Sequence, residues 1–277
     1  MRLPPWHLHL DVWLLLASAE ALYLVALRRR RRSTGSSGAS PRKVTLFSLG
    51  VAVLWLGADW PLHDLAERYL YSMHMVQHLL FTLVAPPLLI AGLPDWLLRE
   101  ILRPRAVSRA VRFLTRPVVA LIVFNGVLLF SHWPAVVDAS VRSEPLHFGL
   151  HVLIVASAFV MWWPVMSPLP EMPALPAPGQ MLYLFLQSLA PTVPASFLTF
   201  GSTPLYPVYA SFPRIWGIDA LTDQLIAGLT MKLAGGLILW GFIAAIFFRW
   251  FAQEQRDGWD ALQWRRFERE IRAEMKR

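Results

Sequence analysis

Seven long apolar segments constrain this chain more than any other feature of its sequence. They run roughly over residues 10–27, 44–60, 73–93, 117–133, 147–166, 180–200 and 225–248. Each is close to the ~20 residues that a helix needs to cross ~30 Å of hydrocarbon. Backbone groups in lipid must find hydrogen bonds within their own segment, so each segment is expected to be a helix. The sequence therefore predicts an all-α, multi-pass integral membrane protein whose residues 1–250 form a seven-transmembrane-helix bundle.

The positions of lysine and arginine predict the orientation of this bundle. The first connection carries seven, the third carries six and the chain from Arg249 onward carries eight, so 21 of the 26 lie on one side. The opposite side has only four, namely Arg2, Arg68, Arg142 and Arg214. Cytoplasmic loops are enriched in these residues, which predicts an N-out/C-in topology. The net charge of +8 is thereby explained without nucleic acid, and the lipid bilayer is the expected partner.

The two ends of the chain and its missing motifs narrow the class of protein further. The first segment follows one arginine and precedes five, a polarity typical of a stop-transfer helix and not of a cleaved signal. Residues 251–277 alternate charged residues with Trp, Leu and Phe, which predicts a basic amphipathic cytoplasmic tail. The chain has no cysteine, no phosphate-binding glycine loop and no nucleophile elbow. We therefore expect neither a thiolate metal site nor an enzyme.

The histidines are the clearest functional signal in the sequence. With the predicted topology all eight fall at the outer ends of helices, and they are His7, His9, His63, His74, His78, His132, His147 and His151. The pairs 74/78 and 147/151 have i, i+4 spacing, which places both side chains of a pair on one helix face. Imidazole suits copper, zinc, iron and nickel, and helical bundles often build metal sites from facing helices. These four histidines are the predicted metal site.

Other residues are weaker metal-ligand candidates with ordinary alternatives. Asp223 could serve equally as a helix N-cap in its "TDQ" context, and Met231 has the cation Lys232 beside it. Thioether sulfur selects Cu(I), but methionine is also a common packing residue. A single histidine at a helix end is often interfacial. The remaining candidates are Met73, Met75, Gln77, His63, Asp59, Gln224 and His132.

Prolines predict interruptions in two of the segments. Pro61 makes a continuous helix through Asp59 and His63 doubtful on steric grounds. Pro191 and Pro194 predict a kink within the sixth segment.

An ordered set of short motifs resembles a known family. The motifs are "MHMVQHLL", "APPLL", "SHWP", "LHFGLHVLIVASAFVMWWPV", "TPLYPVY" and "DQLIAGLTMK". In this order, from the second helix through the seventh, they resemble the seven-helix bacterial CtaG family of cytochrome c oxidase assembly proteins. The residues that match the family pattern are His74, Gln77, His78, His147, His151, Asp223, Gln224 and Met231.

The resemblance implies a function in maturing haem–copper oxidases. Members of the family are implicated in supplying or inserting copper, so copper is the expected cofactor. Haem is not the expected cofactor, because histidines at one depth do not suit a two-haem bundle that crosses the membrane, although one haem between the third and fifth helices stays possible. The expected location is the bacterial plasma membrane, with oxidase subunits and a periplasmic copper donor as partners and self-association left open. Three alternatives remain at this point: a copper transporter or permease, a haem-binding membrane cytochrome b, and a metal-free assembly scaffold.

Overall fold

A computed structural model describes residues 4–274, with side chains described for residues 4–256. All regular structure in these residues is helical, and no strand occurs among them. The helices are α1 Leu10–Thr34, α2 Pro41–Ala58, α3 Leu62–Arg68, α4 Tyr71–Leu79, α5 Ala85–Gly92, α6 Asp95–Ile101, α7 Arg105–Leu114, α8 Pro117–Ser131, α9 Pro134–Val141, α10 Glu144–Met166, α11 Ala177–Leu189, α12 Thr192–Phe200, α13 Pro207–Ala210, α14 Ala220–Leu229 and α15 Gly235–Glu274. Two π-helical segments, π1 Leu80–Val84 and π2 Thr230–Ala234, join α4 to α5 and α14 to α15.

Six helical stretches within the described residues are long and apolar enough to cross a membrane, and a bent pair raises the number to seven. The six are Leu10–Thr34, Pro41–Arg68, Tyr71–Gly92, Glu144–Met166, Ala177–Phe200 and Ala220–Arg256. The seventh would be α7 with α8, which meet at 83°. The predicted all-α membrane fold is therefore confirmed. The seven-span count and the N-out/C-in orientation stay predictions.

Both predicted proline interruptions occur. The helix α2 ends at Ala58 and α3 starts at Leu62, so Asp59 and His63 do not share a helix. The sixth segment divides at Pro191 into α11 and α12. At the C-terminus α15 continues without a break to Glu274, so the tail is helical, while its amphipathic side chains beyond residue 256 and residues 275–277 lie outside the described residues.

The third span, formed by α4, π1 and α5, lies at the centre of the bundle. In its most apolar 18-residue window 61% of the residues are buried, whereas the corresponding shares in the first and last spans are 22% and 17%. Small residues let α2 approach it closely, since a Cβ on Gly92 would lie 2.4 Å from the backbone nitrogen of Phe47. Tyr23 of α1 also donates a hydrogen bond to the Gly92 carbonyl at 3.0 Å. The histidine pair on α4 is therefore carried by the most enclosed span.

Buried polar contacts tie the remaining spans to this centre. Asn125 of α8 donates to Gln187 of α11 at 2.7 Å, Gln187 donates to the Tyr183 hydroxyl at 2.8 Å, and Tyr183 donates to the Met161 carbonyl of α10 at 2.9 Å. Trp162 donates to the Thr82 carbonyl in π1 at 2.8 Å, where the wider π turn interrupts the regular helical ladder. In an apolar surrounding such hydrogen bonds fix how the helices face one another.

Cross-contacts between connections define the two ends of the bundle. At one end Lys43 lies 2.8 Å from Asp95, Arg99 lies 2.8 Å from Glu171, and Arg30 stacks over Trp96. We call this the arginine end. At the other, which we call the histidine end, His9 lies 3.2 Å from Asp64. The connections that the charge pattern assigned to opposite sides therefore do meet at opposite ends.

Candidate metal centre

All eight histidines meet at the histidine end in one continuous run of contacts. His7 lies 3.4 Å from Asp64, which also contacts His9. Ring centroids then connect His9 to His63 at 4.8 Å, His63 to His147 at 6.0 Å, His147 to His151 at 4.2 Å, His151 to His74 at 5.7 Å, His74 to His78 at 4.3 Å and His78 to His132 at 5.2 Å. The i, i+4 pairs on α4 and α10 face each other.

The histidine centre, as we call the group of His74, His147 and His151, brings three ligand atoms together. One ring nitrogen from each lies within 4.8 Å of the other two. A first-row metal ion with bonds of about 2.1 Å holds its ligand atoms roughly 3.4 Å apart in a tetrahedron, so the three rings would close by about 1 Å around an ion. His78 lies beside this group, with its ring centroid 4.3 Å from that of His74, and could supply a fourth ring.

Unsatisfied nitrogen atoms are concentrated at the histidine centre and at the neighbouring His78. The Nδ1 atoms of His74 and His78 and the Nε2 atoms of His147 and His151 are buried without a hydrogen-bond partner among the described residues. Buried polar atoms are nearly always paired, so four unpaired nitrogens in one place need an explanation. A small cavity of about 20 Å³, lined by all four histidines and Tyr209, has room for one water molecule or ion.

His132 presents a nitrogen whose protonation is set by its neighbours. Its Nδ1 lies 2.7 Å from the Leu128 carbonyl, which can only accept, so Nδ1 carries the proton. Its Nε2 is then a free electron pair, and this atom is buried without a partner among the described residues. His132 lies beside His78 and outside the group of three.

Asp223 has a role that the sequence did not predict. Its two oxygens accept from the backbone N–H groups of Tyr71 at 2.7 Å and Ser72 at 3.0 Å, at the first turn of α4. Of the two roles left open for Asp223, a cap of its own helix does not occur, because Asp219 accepts from Leu221 and Thr222 and caps α14. Asp223 instead caps α4 from another helix, and its charge is compensated by the N-terminal end of the α4 dipole.

The methionine candidates separate into two kinds. Met231, which is buried, and Met75 line a cavity of about 50 Å³ together with His78, His132 and Lys232. This methionine cavity lies directly beside the histidine centre, because His78 lines both cavities. Met73 is half-buried and is not among the residues that line either cavity.

Three further candidates are held by hydrogen bonds to other parts of the chain. Gln77 donates to the Gly57 carbonyl at 2.9 Å and lies 3.0 Å from Nδ1 of His63. Gln224 accepts from the Leu205 backbone at 2.6 Å, which fixes the connection after α12. Asp59 accepts from the indole of Trp13 at 3.0 Å. These contacts orient the surroundings of the centre.

His63 lies next to an acidic residue that the sequence reasoning missed. Nε2 of His63 is 3.3 Å from Oε2 of Glu67, and Nε2 of His147 is 3.1 Å from Oε1 of the same carboxylate. The i, i+4 spacing of His63 and Glu67 within α3 was a visible signal. It could not be recognised because α3 lies outside the apolar segments and its approach to α10 is a tertiary contact.

The fold and these contacts define an α-helical membrane protein with a buried group of histidines at one end of its bundle. The chain belongs to the family described as cytochrome c oxidase caa3 assembly factor, whose model matches residues 21–253. Its predicted family is thus confirmed.

Two curated relatives are similar to part of the chain. They are uncharacterized proteins of Mycobacterium bovis and of Mycobacterium tuberculosis, each 25% identical over 205 residues, which is 68% of this chain and 31% of the relative. The chain thus matches under a third of the length of these curated relatives. No solved structure matches the chain.

Proposed function

We propose that this protein assists the assembly of a haem–copper oxidase by holding copper in the histidine centre and releasing it to an oxidase subunit. The observation that carries the proposal is the set of four buried ring nitrogens without partners, gathered around a cavity of about 20 Å³. Membership of the assembly-factor family supplies the biological context. Copper is the cargo of this step, and no covalent bond of the protein changes, so we infer a non-catalytic role.

The donor set favours copper over harder cations. Imidazole nitrogen is a good ligand for both oxidation states, whereas thioether sulfur selects Cu(I). His74, His147 and His151 would hold the ion, with His78 beside them. Met75 and Met231 lie on the adjoining cavity and would favour the reduced ion there. Lys232 lines the same cavity, and its charge opposes a second cation at that position.

The same geometry favours an ion over haem. Two axial histidines must lie on opposite faces of a porphyrin, which has to fit between the two rings. The rings of His74 and His151 are stacked with their centroids 5.7 Å apart, and those of His74 and His78 are 4.3 Å apart. These rings are in contact with each other, so a porphyrin would need the helices to separate.

The proposed location is the outer face of the bacterial plasma membrane. The charge pattern places the arginine end in the cytoplasm, which puts the histidine end on the side where a periplasmic copper donor and the copper-containing parts of an oxidase would be reached. Enrichment of Lys and Arg in the connections that meet at the arginine end supports this orientation. Lipid and oxidase subunits are the proposed partners, and self-association stays open.

The proposal is tested by copper content of the detergent-purified protein. After incubation with Cu(I) and gel filtration, the wild type should retain about one copper per chain, as expected for one group of three to four ligands. His74→Ala/His78→Ala should lose it, because it removes one wall of the centre. The matched control is His7→Ala/His9→Ala, which also removes two histidines but leaves the centre intact and should keep its copper.

Other outcomes would select the alternatives. No copper in the wild type, together with normal oxidase assembly by the histidine variant in cells, would contradict the proposal and leave a metal-free scaffold. A Soret band in the purified protein would indicate a cytochrome. Copper uptake by vesicles that contain only this protein would indicate a transporter.

A further inference from the structure

Glu67 lies between two histidines at the outer edge of the histidine centre. Ligand atoms of His63, Glu67 and His147 all lie within 4.8 Å of one another. Oε1 of Glu67 is 3.1 Å from Nε2 of His147, yet this nitrogen has no hydrogen-bond partner among the described residues. The two groups are thus close without being hydrogen-bonded. Separations of 3.1 Å and 3.3 Å also agree with the roughly 3.4 Å between atoms that bind one tetrahedral ion.

This second group shares one ligand with the first. His147 belongs both to the histidine centre and to the group with His63 and Glu67. A neutral imidazole has only one ring nitrogen with a free electron pair, so His147 can bind an ion at one of the two groups at a time. Occupation of the two positions is therefore mutually exclusive, and the total binding capacity of the pair is one ion.

A large cavity borders the second group and one side of the first. This lateral cavity has a volume of about 810 Å³ and lies between α1, α2, α3 and α10. His63, Glu67, His147 and His151 line it, but His74 and His78 do not. The side chain of Glu67 is 28% exposed, compared with 7% for His147. The lateral cavity therefore connects the histidine centre, through His147 and His151, to Glu67.

We propose that His63, Glu67 and His147 form a second, outer metal position that receives copper from the histidine centre by ligand exchange at His147. This inference rests on the function proposed above. A carboxylate oxygen of Glu67 forms a bond to the ion as His74 and His151 are released, and His63 then completes the outer set. Only metal–ligand bonds form and break, and the oxidation state of copper is unchanged. Replacing imidazole by a harder carboxylate weakens the hold on Cu(I), which favours release.

Gln77 determines which ring nitrogen of His63 carries the proton, and so whether His63 can bind an ion at the outer position. Its amide nitrogen donates to the Gly57 carbonyl and lies 3.0 Å from His63 Nδ1, so the ring proton of His63 sits on Nε2, toward Glu67. Binding an ion through Nε2 moves that proton to Nδ1 or to solvent. A half-turn of the Gln77 amide would then present its oxygen to Nδ1–H, but it would break the hydrogen bond from the amide nitrogen to the Gly57 carbonyl. Gln77 is thus a positioning residue for the outer position.

The test compares Glu67→Gln with Glu144→Gln in the full-length protein loaded with one Cu(I). Glu144 is the matched control, because its carboxylate lines the same lateral cavity but is outside the metal-binding group. Copper content is measured at equilibrium, and release is followed by stopped flow with an excess of a coloured Cu(I) chelator. We expect Glu67→Gln to retain its copper but to release it about tenfold more slowly, in the range that follows loss of a ligand-shell partner. Glu144→Gln should release copper at the wild-type rate.

Any other result contradicts either the outer metal position or the proposed copper-binding function on which it rests. Release from Glu67→Gln at the wild-type rate would make Glu67 an ordinary ion-pair partner. Loss of all copper from Glu67→Gln, with recovery in Glu67→Asp, would make Glu67 a ligand of one single centre. If Glu67→Gln does not fold, His63→Asn carries the same test, with the same expected slowing. A wild type that binds no copper would instead refute the proposed function itself.

Discussion

The two ends of the bundle differ in how far their charged side chains are buried and in what those side chains contact. At the histidine end Asp64 and Asp223 are each only 1% exposed, and their oxygens are used by histidines or by the first turn of α4. At the arginine end the Arg99–Glu171 pair is about half exposed on both sides. Buried charges are tolerated only with well-placed partners, whereas exposed pairs contribute little to stability.

This difference indicates that the arginine end serves the orientation of the protein in the membrane, whereas the histidine end serves its proposed function. In the predicted orientation the arginine end needs only enough positive charge to stay in the cytoplasm, so the identity of individual pairs there matters little. The histidine end must hold several polar groups in an apolar surrounding, so each depends on particular neighbours. Substitutions of the buried polar residues at the histidine end should therefore change metal binding, while those at the arginine end should change stability alone or almost nothing.

The largest effect is expected from Asp223→Ala. The change leaves two buried N–H groups of α4 without an acceptor, and each lost hydrogen bond to a charged group is worth about 1.5–3 kcal/mol. We expect a clear fall in the free energy of unfolding in detergent, together with weaker copper binding because α4 carries His74. Calorimetric unfolding and Cu(I) competition measure the two effects. Asp219→Ala, which removes the exposed cap of α14, should lower stability less and leave copper affinity unchanged.

If Asp223→Ala unfolded like the wild type, α4 would not depend on this cap. If copper affinity fell equally in Asp219→Ala, the link between Asp223 and His74 would be refuted.

An intermediate effect is expected from Gly92→Ala at the arginine end of the third span. The new Cβ would lie 2.4 Å from backbone of Phe47, which cannot move aside as a flexible side chain could. Overpacking of this kind costs about 1–3 kcal/mol. Copper bound per folded chain should not change, since the site is at the other end. Gly126→Ala is the matched control, because its Cβ meets no described atom within 4 Å, and it should be neutral or slightly stabilising.

Equal stability of the two glycine variants would show that α2 and α5 can separate. A loss of copper in Gly92→Ala would show that the two ends are coupled, against the comparison drawn above.

The smallest effect is expected from Glu171→Gln. Arg99 holds the pKa of the Glu171 carboxyl below its usual value of 4.5 through a charge-assisted hydrogen bond. A carboxyl with a lowered folded-state pKa stabilises the protein above pH 4.5, and this contribution disappears as the pH falls further. The wild type should thus lose slightly more thermal stability than Glu171→Gln between neutral and acidic pH. Copper binding at neutral pH should be identical, and any difference in it would contradict the separation of the two ends.

The secondary structure was largely predictable because its signals are local. The apolar segments predicted the spans, and Pro61 and Pro191 predicted the breaks that the structure contains. The i, i+4 spacing of His74/His78 and His147/His151 likewise predicted which side chains share a helix face. Spacing could not predict that both of these faces would meet across the bundle, which depends on how α4 packs against α10.

The supporting residues of the centre were less predictable. Glu67 lies in a short helix between two spans, and nothing local indicates that its carboxylate reaches His147. Asp223 looked like the cap of its own helix, yet it accepts hydrogen bonds from residues 152 and 151 positions away. Hydrogen-bonding capacity is a property of the residue, whereas the identity of its partner depends on the packed chain.

The sequence by itself determined that this chain is an all-α membrane protein with its positive charge toward one end and its histidines toward the other. Hydrophobic length, charge position and helical periodicity act over a few residues, so they can be read without a fold. Only the tertiary structure decided that ring nitrogens of three histidines from two helices lie within 4.8 Å of one another. It also decided that Glu67 contacts both His63 and His147, and that Asp223 accepts hydrogen bonds from the first turn of α4. These features arise from contacts between distant segments, and packing of the whole bundle is what selects them.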